Sequence, residues 1–225
     1  MIEIEAIRHR VEAITILHEL SLTLCEGRIG IIGANGSGKS TFARLLNGLI
    51  LPSAGRVRVH GQDTRAAGDS VRALVGFVFQ NPDHQIVYPI VEEDVGFGLR
   101  NAGLRGDALS CAVTDALERF GLTEKRNQPA HLLSGGEKQL LALAGILALD
   151  PRVVVLDEPT ALLDLRNRRK ISRILTDLPQ QVVLVTHDLD MLDGFDRVLV
   201  FDSGRIVADD TPSRAIAHYI SLMEA

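Results

Sequence analysis

The stretch Gly33-Ala34-Asn35-Gly36-Ser37-Gly38-Lys39-Ser40-Thr41 limits what this chain can become more than any other. It fits G-x-x-x-x-G-K-[ST], and its flanks fit as well. Ahead of it, Arg28-Ile29-Gly30-Ile31-Ile32 is a short apolar run suited to a buried strand. Behind it, Thr41 to Asn47 has helical spacing and Gly48 offers a stop. Glycines let such a loop wrap an anion with its N–H groups pointing inward, and the helix N-terminus adds about half a positive charge there. Gly33, Asn35, Gly36, Ser37, Gly38, Lys39, Ser40 and Thr41 are therefore the candidate nucleotide-binding residues. Lys39 is expected to reach the β- and γ-phosphates, and Ser40 to hold Mg²⁺. A strand, a loop and a helix in register predict a site for a nucleoside triphosphate.

The remainder of the chain alternates strand and helix signals. Ile2, Ile4 and Ala6, then Ile14, Ile16, Leu20, Leu22 and Leu24, predict an antiparallel pair turning near Val11-Glu12-Ala13. Arg56 to His60 alternates as a strand, and Val71 to Leu74 fits a short helix. Val75 to Phe79 and Val153 to Leu156 read as buried strands, the second a continuous apolar run suited to a parallel sheet covered on both faces. After a charged helix over Arg166 to Leu178 come strands at Gln181–Val185, Val198–Phe201 and Arg205–Ala208, with a Ser203-Gly204 turn. Pro212 opens a last helix. The fold class is α/β: a largely parallel core sheet, an antiparallel N-terminal β subdomain and an inserted helical lobe. At 225 residues the chain suits a single domain. Residues 1–80 and 150–225 make its nucleotide-binding core, and 81–149 the helical lobe. In that lobe Ala108, Cys111, Ala112, Asp115, Ala116 and Phe120 share related faces of one helix. Ligand is expected at the carboxyl ends of the strands, where Gly33, Asp157 and His187 fall.

A net charge of −5 gives no footprint for nucleic acid. The basic run Arg166 to Lys170 reads as a solvated helix face. Cys25 and Cys111 make neither a disulfide framework nor a metal-ligand spacing. Glu3 and Glu5 interrupt the first apolar residues, so no secretory leader is expected. The ten residues Leu140 to Leu149 fall far short of the ~20 that a membrane helix needs.

Phosphoryl transfer needs a cradle, a metal and an oriented nucleophile. Asp157, ending an apolar strand, suits the Mg²⁺ shell, and Glu158 could polarise a water for in-line attack. Leu133-Ser134-Gly135-Gly136-Glu137 precedes a helix-forming run, with Ser134 as cap and Glu137 closing a capping box. Two glycines at a helix start have no place in an ordinary cap, because glycine is a poor helix former. A second anion cradle in one chain points to a site shared between two copies.

These motifs, in this order, resemble the ATP-binding cassette (ABC) ATPases over nearly the whole chain. The resemblance implies roles for single residues. Gln80 would contact Mg²⁺ and the attacking water, Asp157 would complete the metal shell with Ser40, Glu158 would be the general base, and His187 would contact the γ-phosphate. Ser134, Gly135, Gly136 and Glu137 would close over ATP held by the opposite subunit, and Asp164 would lie on the loop crossing the dimer interface. Phe79-Gln80-Asn81-Pro82-Asp83-His84-Gln85 and Val91-Glu92-Glu93-Asp94-Val95-Gly96-Phe97-Gly98 resemble the energy-coupling-factor (ECF) importers in particular. There Gln85 would sit on a short helix facing the groove for a membrane partner. The implied partners are a second ATPase subunit, most simply in a homodimer, a membrane-embedded coupling subunit and a substrate-capture subunit. The implied place is the cytoplasmic face of the membrane, held peripherally. The shortness of the chain resembles the ATPase subunits of biotin importers; cobalt or nickel importers are the alternative, and a soluble ABC ATPase acting on nucleic acid is an alternative of another class. Two departures stand out. Arg8-His9-Arg10-Val11 lacks the aromatic residue that the family sets near the end of the first strand to stack on adenine. Thr160-Ala161-Leu162-Leu163 replaces the commoner small residue followed by Gly or Met before Asp164.

Overall fold

In the computed structural model, which describes residues 1–161 and 163–224, Leu162 and Ala225 lie outside the described residues. The chain divides into two compact units, Met1–Phe77 with Arg152–Glu158 and Leu175–Ala225, and Val78–Pro151 with Pro159–Ile174.

The first unit begins with β1 (Ile2–Val11) and β2 (Ile14–Leu24), an antiparallel pair turning at Glu12, whose φ is +53°. β3 (Arg28–Gly33) runs into α1 (Lys39–Leu46). β4 (Ala54–Val59) and the short β5 (Gln62–Asp63) follow, then α2 (Gly68–Leu74) and β6 (Val75–Val78). β4 pairs with β1, so these strands form a four-stranded antiparallel sheet in the order β2-β1-β4-β5. A second sheet takes β7 (Val153–Asp157), β8 (Gln181–Val185), β9 (Arg197–Asp202) and β10 (Arg205–Asp210) in the order β10-β9-β3-β8-β7-β6. The pairs β3–β8, β3–β9 and β7–β8 are parallel, whereas β10 returns antiparallel. Ser203 and Gly204, at φ +47° and +74°, make that return, as a turn with two left-handed residues must between twisted strands.

The parallel strands read as unbroken apolar runs because both of their faces are covered: every residue of β7 is buried. Phe42 on α1 and Phe201 on β9 are fully buried with ring centroids 5.1 Å apart. Burying side chains of that size contributes about 2–3 kcal/mol each. Gly30 on β3 has no room for a side chain, since a Cβ would stand 2.5 Å from Leu192 Cδ2.

The second unit is mostly helical: α3 (Val91–Asn101), α4 (Gly106–Phe120), α5 (Gly135–Leu147) and most of α6 (Leu165–Asp177). α7 (Pro212–Glu224) closes the chain in the first unit, with Pro212 in its first turn as expected. The buried face of α4 is Val113, Ala116, Leu117 and Phe120, while Ala108, Cys111 and Asp115 are exposed. The expected face is thus turned by part of a revolution. Leu117 and Val113 carry more apolar area than Ala108 or Ala112 and take the inner positions. Leu140 to Ala144 of α5 are buried, as expected of a core helix, but Leu149 is exposed. Among the described residues no helix is long and apolar enough to cross a membrane.

Candidate active site

In the first unit the carboxyl ends of β3, β8 and β7 lie side by side, because Ile31 and Asp157 both pair with Val185 of β8. That register brings Gly33, Asp157, Glu158 and His187 to one edge of the sheet. Two further hydrogen bonds extend it: Thr186 N–H donates to Ile31 O (3.1 Å) and Glu158 N–H to Val185 O (2.9 Å).

The loop between β3 and α1 is shaped by its glycines. A Cβ on Gly33 would stand 2.1 Å from Phe201 O, and one on Gly38 would stand 2.7 Å from Leu17 Cδ2, with φ at +149° and +100°. Gly36 is left-handed too, at φ +78°, but open space surrounds it. Ser37 donates its N–H to Ala34 O and accepts from Gly204 N–H at 3.0 Å, while its buried Oγ has no hydrogen-bond partner. Asn35 is exposed, and Ser40 and Thr41 are half-buried in the first turn of α1. The N–H groups of that turn have no intrahelical acceptors.

Lys39 is buried, and its Nζ donates to Gly33 O and Ala34 O, both at 2.8 Å. The ammonium is thus folded over its own loop. Burial pushes its pKa below the ordinary lysine value, against the attraction of Glu158 and then Asp157, which raise it. Ser40 Oγ donates to Asp157 Oδ1 at 2.8 Å, and the Asp157 side chain is only 3% exposed. The other oxygen, Oδ2, lies 3.7 Å from the guanidinium of Arg44. Arg44 was missed by sequence reasoning, although four residues from Ser40 on one helix put both on the same face. Glu158, at φ +52°, is a non-glycine residue in left-handed conformation, and its Oε1 lies 2.6 Å from His187 Nε2.

A hydroxyl and a carboxylate 2.8 Å apart are hard oxygen donors of the kind Mg²⁺ takes. No group of three or more His, Cys, Asp and Glu that could hold a metal ion occurs among the described residues. That set suits an ion that keeps its waters and shares phosphate oxygens rather than one caged by protein, so the residues present fit Mg²⁺.

The remaining expected residues belong to the second unit. Gln80 is exposed just past β6. Ser134 caps α5 with the expected capping box, its Oγ accepting from Glu137 N–H while Glu137 Oε2 accepts from Ser134 N–H at 2.8 Å. That backbone bond leads in holding the Glu137 carboxyl below its usual range. Gly135 has open space around it, whereas a Cβ on Gly136 would stand 2.4 Å from Asn167 Nδ2. Asp164 accepts from Asn167 N–H at 2.8 Å. Gln85 departs from expectation. It follows a three-residue turn, Pro82–His84, and its side chain points inward. Its Oε1 accepts from Phe79 N–H (3.2 Å) and its Nε2 donates to Ala142 O (3.1 Å). These two bonds to backbone groups hold the amide inward, while Val87, 66% exposed, stands on the surface. At the end of β1, Val11 and Ile14 face each other across the turn, both exposed.

Comparison with known proteins gives the family and the fold. The family model described as ABC transporter matches residues 17–161. A Deinococcus radiodurans protein named putative ABC transporter ATP-binding protein is 55% identical over 219 residues, covering 97% of each chain. The biotin transport ATP-binding protein BioM of Rhizobium etli is 49% identical, covering 90% of each. The energy-coupling factor transporter ATP-binding protein EcfA1 of Symbiobacterium thermophilum is 49% identical, covering 84% of this chain and 68% of its own. Among solved structures, cbiO1 of Clostridium perfringens, part of the ABC transporter complex cbiONQ, superposes with a TM-score of 0.85 at 31% identity, over 99% and 93% of the two chains. The dimeric structure of MJ0796, a bacterial ABC transporter cassette, gives 0.86 at 27% identity, over 94% and 99%.

Proposed function

The chain belongs to the ABC transporter family, as an ATP-binding subunit whose reaction is the hydrolysis of ATP, and we propose that it energises an ECF-type importer of biotin. What carries the finer reading is the pair of stretches Gln80 to Gln85 and Val91 to Gly98, together with the likeness to the Rhizobium etli biotin transport protein over 90% of both chains.

The chemistry follows from the side chains. N–H groups of the loop and of the first turn of α1 receive the phosphates, and Lys39 turns from the carbonyls of Gly33 and Ala34 to the β- and γ-oxygens. Ser40 and Asp157 would hold Mg²⁺, and the ion would offset charge on the phosphate oxygens. Glu158 accepts a proton from water as its oxygen attacks the γ-phosphorus in line, the bond to the β-phosphate oxygen breaks, and ADP leaves. His187 holds the Glu158 carboxylate at Oε1 and contacts the γ-phosphate. Ser134, Gly135, Gly136 and Glu137 of a second copy close over the same nucleotide, with Asp164 on the loop between copies. The assembly sits peripherally on the cytoplasmic face of the membrane, its helical lobes bearing on the coupling subunit.

Co-purification from detergent-solubilised membranes tests this reading. Recovery of a small polytopic subunit and a capture protein holding biotin is the expected result. A capture protein holding cobalt or nickel favours the metal-ion importer, and salt-sensitive recovery with nucleic acid overturns transport altogether.

A further inference from the structure

The basic run at Arg166 to Lys170 has no part in the chemistry above. In the second unit α6 forms one wall of an open groove of about 900 Å³, presenting Arg166, Arg169, Lys170 and Arg173, with Leu122 and Leu140 among the residues opposite. Arg166, Arg169 and Arg173 recur at i, i+3 and i+7, one stripe of a helix. Lys170 is engaged, since its Nζ donates to Phe120 O at 2.8 Å. Both carboxylates of the groove are engaged as well: Asp164 accepts from Asn167 N–H, and Glu137 bonds Ser134 and lies 3.6 Å from Lys125. The three arginines make no ion pair among the described residues, in a chain whose net charge is −5.

Ser134 and Glu137 line this same groove. If Ser134 meets the nucleotide of a second copy, as proposed above, the groove faces whatever borders the triphosphate site in that copy. There a single 3-10 turn, Leu189–Leu192, follows His187, and it carries Asp190 with Asp193 directly after it. Both are exposed, and neither makes an ion pair among the described residues. Three residues apart in a turn of three, they project to one side. Glu92, Asp83 and Asp94, by contrast, are already engaged, with Arg126, with Lys138 and with the N–H groups of Val87 and Tyr88.

We propose that Arg166, Arg169 and Arg173 of one copy receive Asp190 and Asp193 of a second copy of this chain, an electrostatic clasp formed when two copies close on ATP. The clasp rests on the composite-site reading, and it gives closure a dependence on salt that buried apolar contact would not.

The experiment measures ATP-driven dimerisation of the Glu158→Gln chain by sedimentation at about 50 mM and about 500 mM salt. Arg169→Glu with Arg173→Glu is expected to weaken the dimer about tenfold at the lower salt, and Asp190→Arg with Asp193→Arg to do the same. Joining all four substitutions restores it. Undiminished dimerisation by either pair, or no recovery in the joined variant, overturns the clasp; Arg169→Gln with Arg173→Gln replaces the first pair should that chain not fold. Failure of Glu158→Gln to dimerise with ATP at all counts instead against the composite site. The clasp is then decided by cross-linking Arg169→Cys to Asp190→Cys in a chain with Cys25→Ser and Cys111→Ser. A bond between copies supports it, and none overturns it.

Discussion

His187 Nε2 stands 2.6 Å from Glu158 Oε1, tying together the ends of two neighbouring parallel strands. Glu158 pays a conformational penalty to be there: φ +52° in a residue with a side chain costs on the order of 1–3 kcal/mol. Both acids are buried, yet each has its own partner: Asp157, one residue earlier, accepts from Ser40, and Glu158 stands against His187.

Glu158→Gln keeps the shape and removes the proton acceptor. Turnover is expected to fall by about 10²–10⁴-fold while ATP binding and ATP-driven dimerisation persist. Phosphate release at the unmodified rate would remove Glu158 from the role of general base.

Nucleotide binding should take up protons at alkaline pH. Burial lowers Lys39 below the ordinary value of 10.5. Between that lowered value and 10.5 the unfolded chain binds more protons than the folded one, so the nucleotide-free protein gains stability as pH rises through the window. A triphosphate beside Nζ favours the ammonium and raises its pKa again, so affinity for ATP falls as pH rises through the same window. Calorimetry in two buffers of different ionisation heat reads the uptake. Equal uptake in the intact chain and in Lys39→Met would assign it elsewhere.

Gly33→Ala and Gly36→Ala separate steric from conformational need. The first drives a methyl group to 2.1 Å from Phe201 O, a backbone atom that cannot step aside, and is expected to abolish folding or lower stability by more than ~3 kcal/mol. The second meets open space and bears only the cost of a left-handed backbone, about 1–2 kcal/mol. Thermal melting of both variants checks the order; equal losses would contradict it.

Val11→Tyr should restore the ring that the end of β1 lacks. Val11 is 52% exposed and pairs across the turn with exposed Ile14, so a larger side chain is accommodated. Stacking is expected to tighten ATP by about 2–10-fold, corresponding to ~0.5–1.5 kcal/mol, without raising turnover equally. Unchanged affinity for a fluorescent ATP analogue would place the base elsewhere.

The reach of the sequence is clearest where a motif is local. Gly33 to Thr41, the Ser134–Glu137 capping box and the all-buried Val153 to Asp157 depend on backbone conformation and burial within a few residues, and each was legible as a string. Gln85 and α4 were not. An amide placed by spacing turned inward to hydrogen-bond Phe79 N–H and Ala142 O, which lie far apart in the chain, and α4 settled on the face carrying Val113 and Leu117.

By itself, then, the sequence determined an α/β chain that binds a triphosphate and the identity of the side chains at its strand ends. Only the tertiary structure decided which of them touch. Ser40 meets Asp157 across 117 residues of chain, and His187 meets Glu158, because the parallel register of β3, β8 and β7 aligns their ends. Arg44 reaches Asp157 for the same reason, and the arginine stripe of α6 faces a groove only because α6 packs within the helical unit. Spacing along a chain fixes local conformation, but contacts between distant residues are set by how the buried faces of whole elements fit together.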